Sequence, residues 1–274
     1  MDEARSRTMP GEVRRDRVLT LIEEHGFVRV ADLSSLFGVS EVTVRSDLDQ
    51  LAQASLIDRV HGGAMARSRI SMDGSSIEET EPSFEESVDT LTDEKDAIGR
   101  AAASLVSSGD SLIIDVGTTT TAVAHALTER TDLDDVVVFT NGLTIAMQLE
   151  PAIPRFTVIL TGGKLRPRQH SLVNPMGSGI LEQINVTMAF IGCNGIHPTD
   201  GVTNINLPEA QIKNRMIEAA GQVVVVADGS KVGNVSVARI ARIDDVDRLI
   251  TTDSAPSVLL DQIRDLGVIT TVAT

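Results

Sequence analysis

The stretch DVGTTTT (115–121) sets an acid, a glycine and four consecutive threonines between an apolar run, SLII (111–114), and a helix-like stretch, AVAHAL (122–127). Such a corner suits an anion. Backbone N–H groups at a helix start point outward, the helix dipole favours negative charge, and threonine hydroxyls add donors. Thr118, Thr119 and Thr120 are therefore candidate grips for a phosphate, with Gly117 opening the turn and Asp115 placed to read a neighbouring hydroxyl. The corner is neither a Walker A loop, which continues into GK[ST], nor the G-x-G-x-x-G fingerprint. Taken alone, the same residues also suit an ordinary Gly-Thr helix cap.

Other positions share the logic. TNG (140–142), TGGK (161–164) and ADGSK (227–231) each follow an apolar run. In a parallel α/β sheet the carboxyl ends of the strands line the ligand crevice. Asn141, Gly142, Gly162, Gly163, Lys164, Asp228 and Lys231 are therefore expected to converge on the corner. Lysine is a good point-charge partner for phosphate, and the chain has only four, Lys95, Lys164, Lys213 and Lys231. Lys213 or Lys231 is the expected neutralising charge. Lys213 follows Glu209 by one helical turn, a spacing that also fits a surface pair. The single cysteine, Cys193, excludes the common cysteine-rich zinc sites, and the five histidines show no metal-binding spacing. No metal and no cofactor is implied.

The elements that must hold these residues are legible around them. SLIID, VVVFT, FTVILT, TMAFIG, VVVVAD, RLITT and VITTV alternate with amphipathic stretches such as EAQIKNRMIEAAG and SVLLDQIRDLG over residues 94–274. Apolar strands alternating with helices predict an α/β domain around a mainly parallel, Rossmann-like sheet.

Residues 12–65 read differently. RRDRVLTLIEEHG has Val18, Leu21 and Ile22 at helical spacing, with Gly26 placed to end the helix. A short helix near 31–37 follows, then Gly38, and Ser40 as the N-cap of EVTVRSDLDQLAQ. That third helix puts Val44, Leu48 and Leu51 on one face. Its other face carries Glu41, Thr43, Arg45 and Ser46, types that reach base edges and phosphates. Asp47 reads as structural, paired to an arginine or a backbone N–H. LIDRV, HGG and AMAR then predict a strand, a hairpin tip and a return strand. Helix, short Gly-containing turn, helix and β-wing make a winged helix-turn-helix. Its DNA-binding candidates are Arg15, Arg17, Ser40, Glu41, Thr43, Arg45, Ser46, Arg59, His61, Gly62 and Gly63. Three small helices can also serve as a protein-interaction module.

The net charge of −15 argues at first against nucleic acid, but its distribution matters more. Residues 1–70 carry ten arginines against eleven acids, whereas 71–96 holds ten acids and one base. Residues 66–93 are polar and acidic and predict an extended linker that repels DNA. The scarcity of aromatic residues, with no Trp or Tyr, argues against a stacking platform for single strands. No apolar h-region opens the chain and no run approaches the roughly 20 residues that span a bilayer. A reducing cytoplasm is the expected location.

The motifs together resemble the DeoR family of bacterial transcriptional regulators. The resemblance runs through Val39, Ser40, Thr43, Val44, Arg45, Asp47 and Leu48, then Arg59, Val60, His61, Gly62, Gly63 and Ala64. Ser46 stands where the family often has a second arginine, and Ser55 where it often has glycine. The order of motifs beyond residue 94 is that of the family's sensor domain, which is similar to ribose-5-phosphate isomerase. The likeness implies a repressor of sugar-metabolism genes, binding double-stranded operator DNA as a dimer or tetramer and released by a phosphorylated sugar. Isomerases carry a D-G-A-D-E segment that includes catalytic acids. The counterpart here is GCNGI (192–196), with Cys193 and Asn194. An amide is no general base near neutral pH. Asn194 is thus expected to read sugar hydroxyls with Asp115 and Asn141, and the chain to be a sensor. The alternatives are an isomerase-type enzyme with an attached DNA-binding module, or an activator.

Overall fold

The computed structural model describes residues 10–25, 27–53, 56–60, 63–66, 81–173 and 176–274. The chain divides into two units, Met1–Thr80 and Glu81–Thr274.

The first unit runs α1 (Gly11–His25), β1 (Phe27–Arg29), α2 (Val30–Phe37), α3 (Glu41–Gln53), β2 (Ile57–Val60) and β3 (Gly63–Ala66). Val18 and Ile22 of α1, Leu33 of α2 and Val44, Leu48 and Leu51 of α3 meet Ile57 and Ala64 in one core. Each large apolar side chain so buried contributes about 1.5–3 kcal/mol. Gly38 ends α2 in the left-handed region, at φ 62°. The Ser40 hydroxyl accepts from the Thr43 N–H at 3.2 Å and so starts α3. The wing has a strand that the hairpin reading lacked. Phe27–Arg29 pairs antiparallel with β3, giving the order β1-β3-β2.

The second unit opens on α4 (Phe84–Val88) and α5 (Thr92–Ala103), followed by β4 (Ser111–Ile114), α6 (Thr118–Glu129), β5 (Val136–Thr140), α7 (Leu143–Leu149) and β6 (Phe156–Leu160). A hairpin of β7 (Lys164–Arg166) and β8 (Ser171–Val173) comes next, then α8 (Gly177–Leu181), β9 (Met188–Ile191), β10 (Gly195–His197) and β11 (Gly201–Asn204). Helix α9 (Leu207–Glu218) leads to β12 (Val223–Val226), β13 (Ala238–Ala241), β14 (Arg248–Thr252), α10 (Ser257–Asp265) and β15 (Ile269–Ala273). Seven strands form one sheet in the order β15-β14-β12-β9-β4-β5-β6, parallel at every pairing. Strands buried on both faces need continuous apolar runs, which SLII, MAFI and VVVV supply. Alternation sends Leu112, Ile114, Phe190 and Val224 to the side of Ile98, Val123 and Leu127. It sends Ile113, Ala189, Val223 and Val225 to the side of Ile212 and Met216. The chain winds from β4 outward to β6, then returns to β9 on the other flank of β4. The switch point of this doubly wound sheet lies between β4 and β9, where open α/β sheets bind ligands.

The linker expectation needs correction at its far end. Residues 81–93 belong to the second unit. Ser83 and Glu86 close a capping box that starts α4, with the Ser83 N–H donating to Glu86 Oε2 at 2.7 Å. Glu81 is buried. An acidic stretch reads as solvated only while the cation that covers it, here Arg166, is 85 positions away in sequence. Residues 67–80 lie outside the described residues.

Candidate functional site

In the first unit, α3 turns Glu41, Val42, Arg45 and Ser46 outward. Arg45 meets Glu41 at 2.9 Å, an exposed i, i+4 pair worth only tenths of a kcal/mol that a DNA phosphate can displace. Thr43 is half-buried, and its hydroxyl lies 2.9 Å from that of Ser40. Asp47 is buried and accepts from Arg14 Nε at 2.6 Å and Nη2 at 3.2 Å. Arg15 approaches the same carboxylate at 3.5 Å while Arg17 is exposed. Asp47 therefore fastens α3 to α1, as its type suggested. Arg14 is the partner that sequence reasoning missed. Val42 was missed too. At 74 % exposure it is an apolar group on the same exposed side of α3 as Glu41, Arg45 and Ser46. Gly63 opens β3 and is buried. The Arg59 side chain, His61 and Gly62 lie outside the described residues.

In the second unit, Asp115 follows β4 directly and is fully buried. Its N–H donates to Phe190 O at 3.0 Å, across the switch point. Its Oδ2 accepts from the Gly192 N–H at 3.0 Å and faces Lys213 Nζ at 2.7 Å. Among the described residues Oδ1 has no hydrogen-bond partner. Burial raises the Asp115 carboxyl from its ordinary value to about 6, although Lys213 pulls the other way. Lys213 Nζ also donates to Gly192 O at 2.9 Å. Burial works against its charge, and Asp115 and Glu209 more than offset that, so its ammonium sits above the usual lysine range. The surface reading of Glu209 and Lys213 is thereby corrected, because α9 lays both against the sheet, 4 % and 3 % exposed. Glu209 accepts from Ser171 Oγ at 2.6 Å, from Asn204 Nδ2 at 3.3 Å and from Arg166. Burial pushes its carboxyl up, but Lys213 and Arg166 outweigh this and hold it below the ordinary range.

The threonines divide. The hydroxyls of Thr120 and Thr121 donate back to Gly117 O at 2.9 and 2.7 Å. Thr118 and Thr119 are half-buried at the first turn of α6. Gly117 has φ 148° and Gly163 has φ 124°, and a Cβ on Gly163 would lie 2.3 Å from Val173 O. Both turns therefore favour glycine. A Cβ on Gly192 would come within 3.6 Å of Asp115 Oδ2 and 3.8 Å of Thr120 Cγ2, which places the β9 end beside the corner. Gly162 O lies against Gly177, next to Ile212 of α9.

Asn141 is fully buried and spends its side chain on backbone. Its Oδ1 accepts from the Val116 N–H at 2.9 Å and its Nδ2 donates to Leu172 O at 3.3 Å. It pins the corner to the hairpin, and Gly142 starts α7. Asn194 Oδ1 accepts from the Ile205 N–H at 2.9 Å. Lys231 is half-buried and, with Asp228, within electrostatic reach of Cys193, whereas Lys164 is exposed on β7. Burial pushes the Cys193 thiol up to about 12, so it is no nucleophile near neutral pH. Among the described residues no cluster could hold a metal ion, and no helix is long and apolar enough to cross a membrane.

A winged helix-turn-helix followed by a doubly wound α/β unit with a charged strand-end site defines a DNA-binding regulator with a sensor domain. Residues 14–69 match the family pattern described as a DeoR-like helix-turn-helix domain, and residues 90–253 that of the DeoR C terminal sensor domain. The chain belongs to the DeoR family of transcriptional regulators. It is 32 % identical over 255 residues to the putative aga operon transcriptional repressor of Escherichia coli O157:H7, covering 93 % of this chain and 91 % of that one. It is 32 % identical over 250 residues to the glycerol-3-phosphate regulon repressor of Escherichia coli strain K12, covering 91 % and 94 %. These relatives are named as repressors, not as enzymes. A solved ribose 5-phosphate isomerase A of Methanocaldococcus jannaschii aligns with TM-score 0.39 and 19 % identity over 52 % of this chain and 55 % of that one, too low a likeness to bear on the site.

Proposed function

We propose that the chain represses genes for the use of a phosphorylated sugar or polyol, binds operator DNA through α3 as a dimer or tetramer, and is released when that compound occupies the strand ends of the second unit. The observation that carries this reading is Asp115. It is a buried carboxylate with one oxygen held by Lys213 and Gly192 and the other without a partner among the described residues, three positions before the start of α6. An orphaned buried carboxylate oxygen is costly unless a donor meets it, and a sugar hydroxyl is such a donor. The phosphate goes to the N-terminus of α6, on the N–H groups and hydroxyls of Thr118 and Thr119, with Lys231, an electrostatic neighbour of Cys193 at the end of β9, assigned to share its charge. Lys213 acts from beneath, through Asp115 and Gly192. The names of the relatives agree in kind, since one is a glycerol-3-phosphate regulon repressor.

The test is a thermal-shift screen of phosphorylated sugars and polyols, since a ligand that binds only the native state raises its stability. A compound that stabilises the wild type, fails to stabilise Thr119→Ala and releases the wild type from DNA supports the reading. Full response in Thr119→Ala assigns the corner a structural role only.

A further inference from the structure

Arg166 of β7 is 2 % exposed, and its guanidinium joins two carboxylates from distant parts of the chain. One is Glu209 on α9, one turn before Lys213. The other is Glu81, 2.6 Å away, the first residue of the second unit. The segment that begins at Glu81 is bound to the same hairpin at further points. The Phe84 N–H donates to Arg168 O at 2.7 Å, and the Phe84 ring stacks on His170 with centroids 5.0 Å apart. His170 Nε2 lies 3.1 Å from Glu85 Oε1, and beyond the hairpin Lys95 Nζ of α5 donates to Ser87 O at 2.6 Å. By connectivity alone, everything covalent between the DNA-binding unit and the sensor passes through residue 81.

We propose that Arg166 couples the ligand site to the segment by which the DNA-binding unit is attached, because one buried cation is shared between Glu209 and Glu81. The identity of the trigger rests on the function proposed above; the sharing does not. Arg166 touches Glu209 directly, and Lys213, one turn further along α9, adds a second positive charge that favours the Glu209 carboxylate. An anion at the start of α6 draws Lys213, through Asp115 and Gly192, away from Glu209, which then leans harder on Arg166. Glu81, already disfavoured as an anion by burial and by Glu209, loses its partner. The segment from Glu81 to Ser87 loosens where it meets the hairpin. Two arrangements of one guanidinium, bound unequally by the ligand, are what an allosteric effect requires.

Hydrogen exchange in the full chain tests this. The amides of Phe84, Glu86 and Ser87 donate to Arg168 O, Ser83 Oγ and Ser83 O, and they report on the segment. Without ligand, Lys213→Met should speed their exchange roughly 10-fold, the order that losing one charge-assisted hydrogen bond gives. Lys213→Arg, which keeps the charge, should restore the wild-type rate. In an Arg166→Met background, Lys213→Met should add nothing. The proposal is overturned if Lys213→Met leaves these amides unchanged or speeds them equally in both backgrounds. It also fails if Ile212→Val, a neighbouring core change that touches no charge, speeds them as much. With inorganic phosphate as the probe, the same amides should speed up in the wild type and not in Arg166→Met; slowing or no change on binding counts against the coupling. If phosphate does not bind while the Lys213 variants behave as expected, the phosphate reading fails and the coupling stands.

Discussion

At the scale of residues, two buried polar groups, Asp115 and Asn141, hold the strand ends, and each makes a separate prediction. The folded-state pKa of Asp115, about 6, lies above its ordinary value of 3.8. A raised value means that the folded state binds the proton more tightly. The stabilising contribution is therefore complete below about pH 4 and lost as pH rises through about 6, on the order of 3 kcal/mol. Urea unfolding should show the wild type losing stability relative to Asp115→Asn across that window; a constant difference would contradict the assignment. Asn141→Ala should cost about 2 kcal/mol or more even without ligand, because it strands the Val116 N–H and the Leu172 carbonyl. A variant that unfolds like the wild type but loses ligand would return Asn141 to the role of hydroxyl reader. That Asp47 is structural was legible from its type, whereas its choice of an arginine over a backbone N–H was not. Nor was the arginine itself, since Arg14 and Arg15 point about 100° apart on a helix and only the packing of α1 against α3 selects between them.

The elements repeat the lesson one level up. Apolar runs alternating with amphipathic stretches identify the parallel sheet, and the spacing of Val44, Leu48 and Leu51 identifies the buried face of α3. Boundaries set by caps were readable as well. Ser40→Ala should therefore destabilise the first unit by about 1 kcal/mol in thermal unfolding. Arg45→Ala should leave stability nearly unchanged, because its pair with Glu41 is exposed, yet weaken duplex DNA binding and reduce its salt dependence by about one counterion. Equal binding at all salt concentrations would remove α3 from the interface. Short strands such as Phe27–Arg29 and Lys164–Arg166 escaped the sequence reading. Three residues carry too little periodicity, and their pairing is decided by partners far along the chain.

For the whole molecule, the acids that join the two units divide into buried and exposed. The acids of 78–86 were all expected to face solvent and repel DNA, yet Glu81 is committed to Arg166 while Glu85 and Glu86 are exposed. Replacing Glu78, Glu79, Glu85 and Glu86 by glutamine should raise the affinity for non-specific duplex DNA at low salt, an effect that fades as salt screens it. Replacing Glu81 as well should loosen the sensor, seen as faster exchange at the Phe84 amide. If the four-site variant binds no tighter, repulsion by this segment is negligible.

Local pattern settled much about this protein by itself. Caps, helical spacing and apolar runs act between residues a few positions apart, so the winged helix, the α/β class and the family motifs can be read from the chain. The tertiary structure alone decided which polar residues are spent. Asn141 and Thr120 are satisfied by backbone, Lys213 is buried against Asp115, and Arg166 joins residues 81 and 209. Burial turns a solvated charge into one that must be paired, and burial is a property of contacts between distant parts of the chain. The corner DVGTTTT was visible from the outset. What sits beneath it, and where that leads, depends on the fold.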